Sequence, residues 1–175
     1  MKYISDIPRT AMEVFNMLPE GTCCEVIDNT LYMSPSPSTE HQKILLKIAT
    51  LLNLFVEANN LGEIFIAPCD VYLTDANDVI QPDIVFINKT NSQIIQKKGI
   101  YGTPDLIIEI LSSNPEYDTK KKFELYQGNL VPEYIIINPD NKEVLHYILT
   151  DGKYTMQPTK TGVLESKVLA TQITL

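Results

Sequence analysis

Two acidic residues lie inside apolar stretches that predict buried strands. Asp83 precedes the apolar residues 84–87, and Glu109 lies within the Leu- and Ile-rich residues 106–111. An ionised carboxylate that is buried alone costs several kcal/mol, so each acid needs a cation, a hydrogen-bond donor or a raised pKa. If the two strands are neighbours, the carboxylates repel by a few kcal/mol at an effective dielectric of about 20. A divalent metal would relieve that repulsion.

A metal held by two carboxylates supports phosphoryl chemistry. Mg²⁺ or Mn²⁺ is bound by one or two acids, with water and substrate phosphate in the other positions, and it activates water. Lys122 is the candidate for the remaining positive charge, because it shares a helix face with Tyr126 four residues later. Lys120 and Lys121 are interpreted as solvated charges.

Each of these residues also has a structural interpretation. Asp83 could accept hydrogen bonds from backbone amides at the start of a strand, and Glu109 could belong to a buried ion pair. The occurrence of both acids in consecutive apolar strands, with a lysine just beyond, favours the chemical interpretation.

The strands that position the acids follow from the apolar pattern. Residues 103–112 predict a central strand, and the strand of Asp83 is expected to begin there because Pro82 cannot donate to a sheet. Shorter apolar runs predict further strands at residues 23–27, 30–33, 64–67, 71–73, 131–138 and 144–149. Turns at Asp28-Asn29 and Asp151-Gly152 predict two hairpins.

Three helices are predicted, over residues 11–18, from Ser38 to about residue 58, and over residues 119–127. In the second, apolar residues recur at offsets of 4, 7, 8 and 11 from Ile44, and Ser38 is the expected N-cap. Asp118 is expected to cap the third, and Gly128 to end it. Residues 88–101 predict a polar connection with some helix, and residues 74–78 and 112–115 predict turns. The fold class is therefore α/β (α+β), a mixed central sheet flanked by helices, with an N-terminal helix and hairpin.

Glu40 and His41 lie in the first turn of the second helix. His41 is one turn before Ile44, at the end of the stripe that faces the core. A first-turn acid is favoured by the helix dipole, and a histidine can fill a partly exposed position, so a structural role is as well supported as a chemical one.

Composition narrows the class of protein. The 175 residues, 44% of them hydrophobic, fit one domain over residues 1–175 that buries about 70% of its unfolded surface. No apolar run has membrane-spanning length and residues 1–6 lack a signal-peptide core, so we expect a cytoplasmic protein without a membrane partner.

Cys23, Cys24 and Cys69 are expected to be reduced core thiols. The net charge of -8 argues against a nucleic-acid coat but not against a nuclease, since bound metal reverses the local field.

The chain resembles the Uma-two family of restriction-endonuclease-like proteins within the PD-(D/E)xK nuclease superfamily. The matching segments follow in the family order and cover nearly the whole chain. They are Glu25-Val26-Ile27-Asp28 with Leu31, Ser34-Pro35 with Glu40-His41, Gln81-Pro82-Asp83, Pro104-Asp105-Leu106-Ile107-Ile108-Glu109-Ile110-Leu111-Ser112, Asp118 with Lys122 and Tyr126, and Val131-Pro132-Glu133-Tyr134.

The resemblance implies a restriction-endonuclease-like core with Asp83 and Glu109 as metal ligands and Lys122 as the catalytic lysine. The superfamily pattern places that lysine two residues after the acid, where this chain has Leu111. The family moves it onto the following helix, to the position of Lys122. The resemblance also implies that Glu40 and His41 are active-site candidates of lower rank, and that the protein is a homodimer.

The chain departs from the family pattern in two places. Asn29 stands where the family usually has glycine, in a hairpin turn. Ser113-Asn114-Pro115 replaces the commoner Pro-Ser-Thr-like loop, which affects the approach to the metal.

The sequence is therefore interpreted as a metal-dependent phosphodiesterase, a DNA endonuclease that uses Mg²⁺ or Mn²⁺. The backbone carbonyl of Ile110 is a further candidate ligand, and Lys122 would orient or deprotonate the attacking water. Two alternatives stay open: an inactive binding or scaffold protein of the same fold, and a hydrolase of small phosphorylated or nucleotide substrates. Metal-dependent cleavage tests the first, and the salt dependence of binding tests the second.

Overall fold

The structure is a computed structural model that describes residues 7–73, 77–112 and 116–175. Expectations for residues 1–6, for the first part of the turn at residues 74–78 and for the loop at residues 113–115 lie outside the described residues.

Five helical segments and fourteen strands are described. The helices are α1 (Ala11–Phe15), α2 (Thr39–Asn59) and α3 (Phe123–Gly128), with a 3-10 helix at Lys89–Ile94 and a π-helix at Tyr117–Lys122. The strands are β1 (Cys24–Ile27), β2 (Thr30–Met33), β3 (Gly62–Ile66), β4 (Val71–Tyr72), β5 (Val79–Ile80), β6 (Ile84–Asn88), β7 (Ile95–Gln96), β8 (Gly99–Tyr101), β9 (Leu106–Ile110), β10 (Glu133–Ile137), β11 (Val144–Thr150), β12 (Lys153–Met156), β13 (Val163–Ser166) and β14 (Thr171–Thr174).

A six-stranded mixed sheet forms the centre, in the order β12-β11-β10-β9-β6-β3. β9 and β10 are parallel, and the other pairs are antiparallel. All five residues of β9 and of β10 are buried, as expected of strands that are covered on both faces. β6 lies directly beside β9, with Ile84 opposite Ile108. The predicted fold class is confirmed.

One face of the central sheet is covered by α2. Ser38 accepts a hydrogen bond from the backbone amide of His41 and so caps this helix, as predicted. The apolar stripe of α2 buries five side chains against the sheet, each contributing about 1.5–3 kcal/mol. They are Ile44, Leu45, Ile48, Leu52 and Val56.

The C-terminal hairpin of β13 and β14 packs against the same face, and the sequence did not predict it. Hydrogen bonds to the carboxylate of Glu133, at the start of β10, hold this hairpin against the sheet. This carboxylate accepts hydrogen bonds from Ser166 Oγ at 2.7 Å and from the backbone amides of Lys167 and Val168, and it also pairs with His146 Nε2 at 2.7 Å. This buried network orders the segment between the two strands.

The other face is covered by α3 and a second sheet in the order β2-β1-β5-β4-β8-β7. The β1–β2 hairpin turns at Asp28 and Asn29, both in the left-handed region (φ 49° and 55°), a conformation that asparagine and aspartate tolerate better than most residues. The predicted break at Pro82 separates β5 from β6. The acids therefore lie where the second sheet meets the central one.

Three expectations need correction. α1 ends at Phe15, where residues 11–18 were predicted to be helical. Asp118 does not cap the third helix, because the π-helix already begins at Tyr117. The side chain of Asp118 is buried instead. Cys23 is exposed, although Cys24 is buried and all three thiols are free.

The candidate active site

β6 and β9 bring Asp83 and Glu109 together at the edge where the two sheets meet. The backbone amide of Asp83 lies 3.4 Å from Glu109 Oε2, and the amide of Ile110 donates to Asp83 Oδ2 at 2.7 Å. Each carboxylate is thus contacted by a backbone amide from the segment that carries the other acid. Neighbouring apolar strands with a single acid each produce this pair, as the sequence pattern indicated.

Lys122 joins the acids from the opposite direction. The chain leaves β9, crosses the sheet through the π-helix and α3, and returns as the parallel strand β10. This crossover places Lys122 Nζ 2.8 Å from Glu109 Oε1, and it places the Tyr126 hydroxyl 2.7 Å from the same oxygen. Lys122 Nζ also lies 5.4 Å from the centroid of the Tyr117 ring, within the range of a cation–π interaction.

Two further carboxylates surround the lysine, and neither was among the predicted site residues. Glu25 in β1 lies 3.0 Å from Lys122 Nζ and accepts a hydrogen bond from the Tyr117 hydroxyl at 2.8 Å. Asp118 lies 3.9 Å from Lys122 Nζ. Glu25 carried the same signal as Asp83 and Glu109, an acid within an apolar strand. Asp118 stands four residues before Lys122, a spacing that also could have indicated contact.

We call Glu25, Asp83, Glu109, Asp118 and Lys122 the acid cluster. Burial raises the pKa of Glu109 to about 8; Lys122 opposes this shift, and the other carboxylates add to it. Burial likewise raises the pKa of Asp118 to about 6, again against the effect of Lys122. Burial lowers the pKa of Lys122, but the surrounding carboxylates outweigh it and hold the pKa well above its usual value. The lysine is therefore a fixed cation among acids that are in excess.

His41 extends from the first turn of α2 to the site. Its Nε2 lies 3.1 Å from Asp83 Oδ2. The His41 Nδ1 atom is buried and has no hydrogen-bond partner among the described residues. Burial lowers the pKa of His41, but the hydrogen bond with Asp83 and the backbone of Ile110 raise it by more. The structure thus places His41 against the Asp83 carboxylate.

Glu40 lies apart from the acid cluster. Its side chain is exposed on α2 and pairs with Lys43 at 3.6 Å. Exposed helix pairs at this spacing contribute about 0.2–0.5 kcal/mol. The structure thus brings together Asp83, Glu109, Lys122 and His41 but gives Glu40 a surface contact.

The excess of buried acids predicts that the metal-free protein becomes less stable as the pH rises. Glu109 and Asp118 have pKa values of about 8 and about 6 in the folded protein, against 4.5 and 3.8 ordinarily. Between about pH 5 and 8 the folded state therefore binds more protons than the unfolded state, and the free energy of unfolding falls with pH. Urea denaturation in EDTA at constant ionic strength should show a loss of up to about 5 kcal/mol across this window. If the free energy of unfolding stayed constant or rose with pH, the description of the site as buried and poor in cations would be wrong.

The fold and the site define a class, a mixed α/β domain with a buried acid and lysine cluster at the junction of two sheets. The structure matches a crystal structure from Anabaena variabilis ATCC 29413, described as "a putative nuclease belonging to DUF820". The TM-score is 0.76 at 19% sequence identity, and the match covers 95% of each chain. At this identity the match shows the fold.

The sequence profile of the Uma2 family, described as "Putative restriction endonuclease", matches residues 12–175. The chain belongs to this family, as its motifs indicated. A comparison with curated proteins finds no match. Family and fold together support a nuclease-like function. Among the described residues, no helix is both long and apolar enough to cross a lipid bilayer.

Proposed function

We propose that residues 1–175 form one restriction-endonuclease-like domain of the PD-(D/E)xK type that hydrolyses the phosphodiester backbone of DNA with a divalent metal. The observation that carries this proposal is the convergence of Asp83, Glu109 and Lys122 from two strands and a crossover helix. Lys122 Nζ lies 2.8 Å from Glu109, whose strand holds Asp83 through the Ile110 amide. A buried group of charges pays a desolvation cost and adds little net stability, whereas carboxylates and a lysine are groups that metal-assisted phosphoryl chemistry uses.

The donor chemistry of the site fits Mg²⁺ or Mn²⁺. Asp83 and Glu109 supply hard carboxylate oxygens, and the carbonyl of Ile110 is a third candidate ligand. Across residues 7–73, 77–112 and 116–175, no three His, Cys, Asp or Glu side chains form a ready metal cage. Mg²⁺ is commonly held by one or two carboxylates, with water and substrate phosphate in its other positions. The raised pKa of Glu109 indicates a place where added positive charge is favourable. When bound, the metal would lower the pKa of a water molecule and neutralise charge on the phosphate.

Lys122 and His41 have different proposed roles. Lys122 is held as an ammonium, so it has no lone pair with which to deprotonate water. It can orient a water molecule and stabilise negative charge on the phosphate. His41 contacts Asp83 and is proposed as a positioning residue that fixes the orientation of that carboxylate. A catalytic role for Glu40, the homodimer and the cytoplasmic location stay predictions.

The proposal is tested by cleavage of supercoiled plasmid and of single-stranded DNA with Mg²⁺ or Mn²⁺. Wild-type protein should cut with metal and stop in EDTA. Asp83→Ala and Lys122→Ala should each reduce the rate by about 10²–10³-fold or more, since each removes a charge that acts on the transition state. Folding of both variants is checked by circular dichroism and urea denaturation.

Glu57→Ala is the control, because it removes an exposed carboxylate from the same helix as His41 but near the other end of that helix, where Glu57 contacts Asn53 and lies outside the acid cluster. It should cut DNA at the wild-type rate. If the wild-type protein were inert on both substrates and calorimetry detected no Mg²⁺ or Mn²⁺ binding, the phosphodiesterase proposal would fail, and the inactive scaffold would be the better description.

A further inference from the structure

A cleft of about 350 Å³ lies next to the acid cluster and is not used by the proposed metal chemistry. Besides the exposed Glu20 and several apolar residues, its lining has three kinds of side chain. Phe65 supplies an aromatic wall, the half-buried Asp70 and Gln81 supply hydrogen-bonding groups, and the exposed Lys97 and Lys98 stand at the turn between β7 and β8.

Gln81 connects the cleft directly to the acid cluster. Its backbone amide donates to Glu25 Oε1 at 2.8 Å, and the same oxygen lies 3.0 Å from Lys122 Nζ. Its side-chain Nε2 donates to Asp70 Oδ1 at 2.8 Å inside the cleft. Gln81 is two residues before Asp83, so the inner wall of the cleft and the proposed metal ligand are parts of one short segment.

Lys97 and Lys98 are adjacent exposed lysines that both line the cleft. Among the described residues Lys153 and Lys160 also lack an ion pair, so position rather than pairing distinguishes Lys97 and Lys98. Lys43, Lys120, Lys121 and Lys167 each pair with a carboxylate, and Lys122 is buried among three. Within the part of the chain that the structure describes, neither Lys97 nor Lys98 has a carboxylate within ion-pairing distance. On a protein with a net charge of -8, two adjacent unpaired lysines are a favourable place for a polyanion.

We propose that this cleft binds an unpaired nucleotide of the strand being cut, next to the scissile phosphate. Lys97 and Lys98 contact the phosphates on either side of that nucleotide. Its base enters the cleft, stacks on Phe65 and meets the hydrogen-bonding edge formed by Asp70 and Gln81. A base held in a duplex cannot enter, so the preferred substrate is single-stranded or locally unpaired nucleic acid.

This inference rests on the proposed function, because it places the substrate strand across the acid cluster. Its tests measure binding without divalent metal, so they do not depend on cleavage. The probe is a fluorescein-labelled single-stranded oligonucleotide, compared with its blunt duplex.

The first test is the salt dependence of binding by the double variant Lys97→Ala/Lys98→Ala. Each lost phosphate contact on a single strand reduces the slope of log K against log salt by about 0.7, so the slope should fall by about 1.4 and the affinity roughly tenfold or more. The matched control is Lys153→Ala/Lys160→Ala, which removes two exposed lysines on β12 and in the segment before β13. The control should keep the wild-type slope.

The second test uses Cys69, which lines the cleft and is partly exposed. In a Cys23→Ser background the remaining thiols are Cys69 and the buried Cys24, so a small disulfide reagent reports on the cleft. A saturating single-stranded oligonucleotide should slow the reaction of Cys69 at least about fivefold, and the duplex should slow it much less. Phe65→Leu should weaken oligonucleotide binding by loss of stacking, by roughly fivefold or more.

The outcomes separate this inference from the proposed function. Oligonucleotide binding with an unchanged slope in the Lys97/Lys98 variant and an unprotected Cys69 would overturn the cleft assignment and leave the nuclease proposal standing. Protection of Cys69 by a free deoxynucleoside monophosphate but not by the oligonucleotide would also overturn it, in favour of a small nucleotide ligand. Failure to bind any oligonucleotide, together with absence of cleavage, would overturn both proposals.

Discussion

Replacing Lys122 with methionine should lower the free energy of unfolding by about 3–5 kcal/mol at pH 8 and remove cleavage activity. Methionine fills much of the volume of the lysine side chain, so the loss is mainly one of charge. The ammonium lies 2.8 Å from Glu109 and 3.0 Å from Glu25, and all three side chains are buried. Without it, carboxylates that cannot reach water have no cation to compensate them.

The three consecutive lysines provide matched controls for this prediction. Lys121 pairs with Asp28 and Lys120 pairs with Glu116, both at the surface. Exposed pairs contribute about 0–1 kcal/mol, so Lys120→Met and Lys121→Met should each change the free energy of unfolding by less than about 1 kcal/mol and should keep cleavage activity. Urea denaturation of the three variants under identical conditions measures the series.

The Lys122→Met effect should also depend on pH in a defined direction. As the pH falls from 8 to 5, the remaining acids take up protons, and the uncompensated charge disappears. The destabilisation relative to wild type should therefore shrink at pH 5. Equal destabilisation at both pH values would show that the methionine fails by packing, and the electrostatic account of the acid cluster would then be wrong.

The central part of this site could be predicted from the sequence because burial and charge conflict at a few positions. Asp83 and Glu109 each interrupt an apolar run, and strands of that kind lie in the middle of a sheet. Their proximity follows once the strands are neighbours. The hairpin turn at Asp28-Asn29 and the cap at Ser38 were also predictable, because short-range hydrogen bonds and backbone preferences determine them.

What could not be predicted depends on long-range topology. A helix between β9 and β10 could lead to either strand direction, and only the parallel crossover lays Lys122 and Tyr126 over Glu109. Glu25 joins the site because the second sheet packs beside the central one, and a hairpin pattern says nothing about that contact. Asp118 was predicted to be an N-cap because aspartate is common there, but the π-helix begins earlier and tertiary contacts bury its side chain.

The C-terminal hairpin was missed for a related reason. Its strands have four residues each and a weak alternation of apolar and polar side chains. Their position is determined by Glu133, whose carboxylate accepts hydrogen bonds from two backbone amides and one hydroxyl group in the segment Ser166 to Val168. A glutamate at the start of an apolar strand gave the same local pattern as the acids of the site. Its hydrogen-bond donors, supplied from about 35 residues away in the chain, distinguish it.

Glu109 and Glu133 therefore allow one substitution to be compared in two environments. Both glutamates are buried, and they lie on the adjacent strands β9 and β10. Burial and neighbouring acids raise the pKa of Glu109 to about 8. Burial also raises the pKa of Glu133, but hydrogen bonds from His146, Ser166 and two backbone amides outweigh it and lower the pKa.

Glu109→Gln should stabilise the metal-free protein at pH 8 by about 1–2 kcal/mol, because the folded state no longer disfavours an ionised carboxylate. The amide oxygen of glutamine can still accept hydrogen bonds from Lys122 and Tyr126, which both donate to Glu109 Oε1. The amide NH₂ then faces the backbone amide of Asp83, but that contact with Glu109 Oε2 is long, at 3.4 Å, so its loss costs little. The same variant should lose cleavage activity by about 10²–10³-fold or more, because a neutral amide is a poor ligand for Mg²⁺. Its free energy of unfolding should also vary less with pH than that of wild type.

Glu133→Gln should instead destabilise the metal-free protein at pH 8. The donors around Glu133 bind both carboxylate oxygens, and a glutamine would place an amide NH₂ against at least one of them. A buried donor left without an acceptor costs about 1–3 kcal/mol, so this variant should be less stable at pH 8. Urea denaturation of both variants in EDTA at pH 8 measures whether each change raises or lowers the free energy of unfolding relative to wild type. If Glu109→Gln were as destabilising as Glu133→Gln, Glu109 would be a structural acid satisfied by its own ion pair, and the excess negative charge that argues for a metal site would not exist.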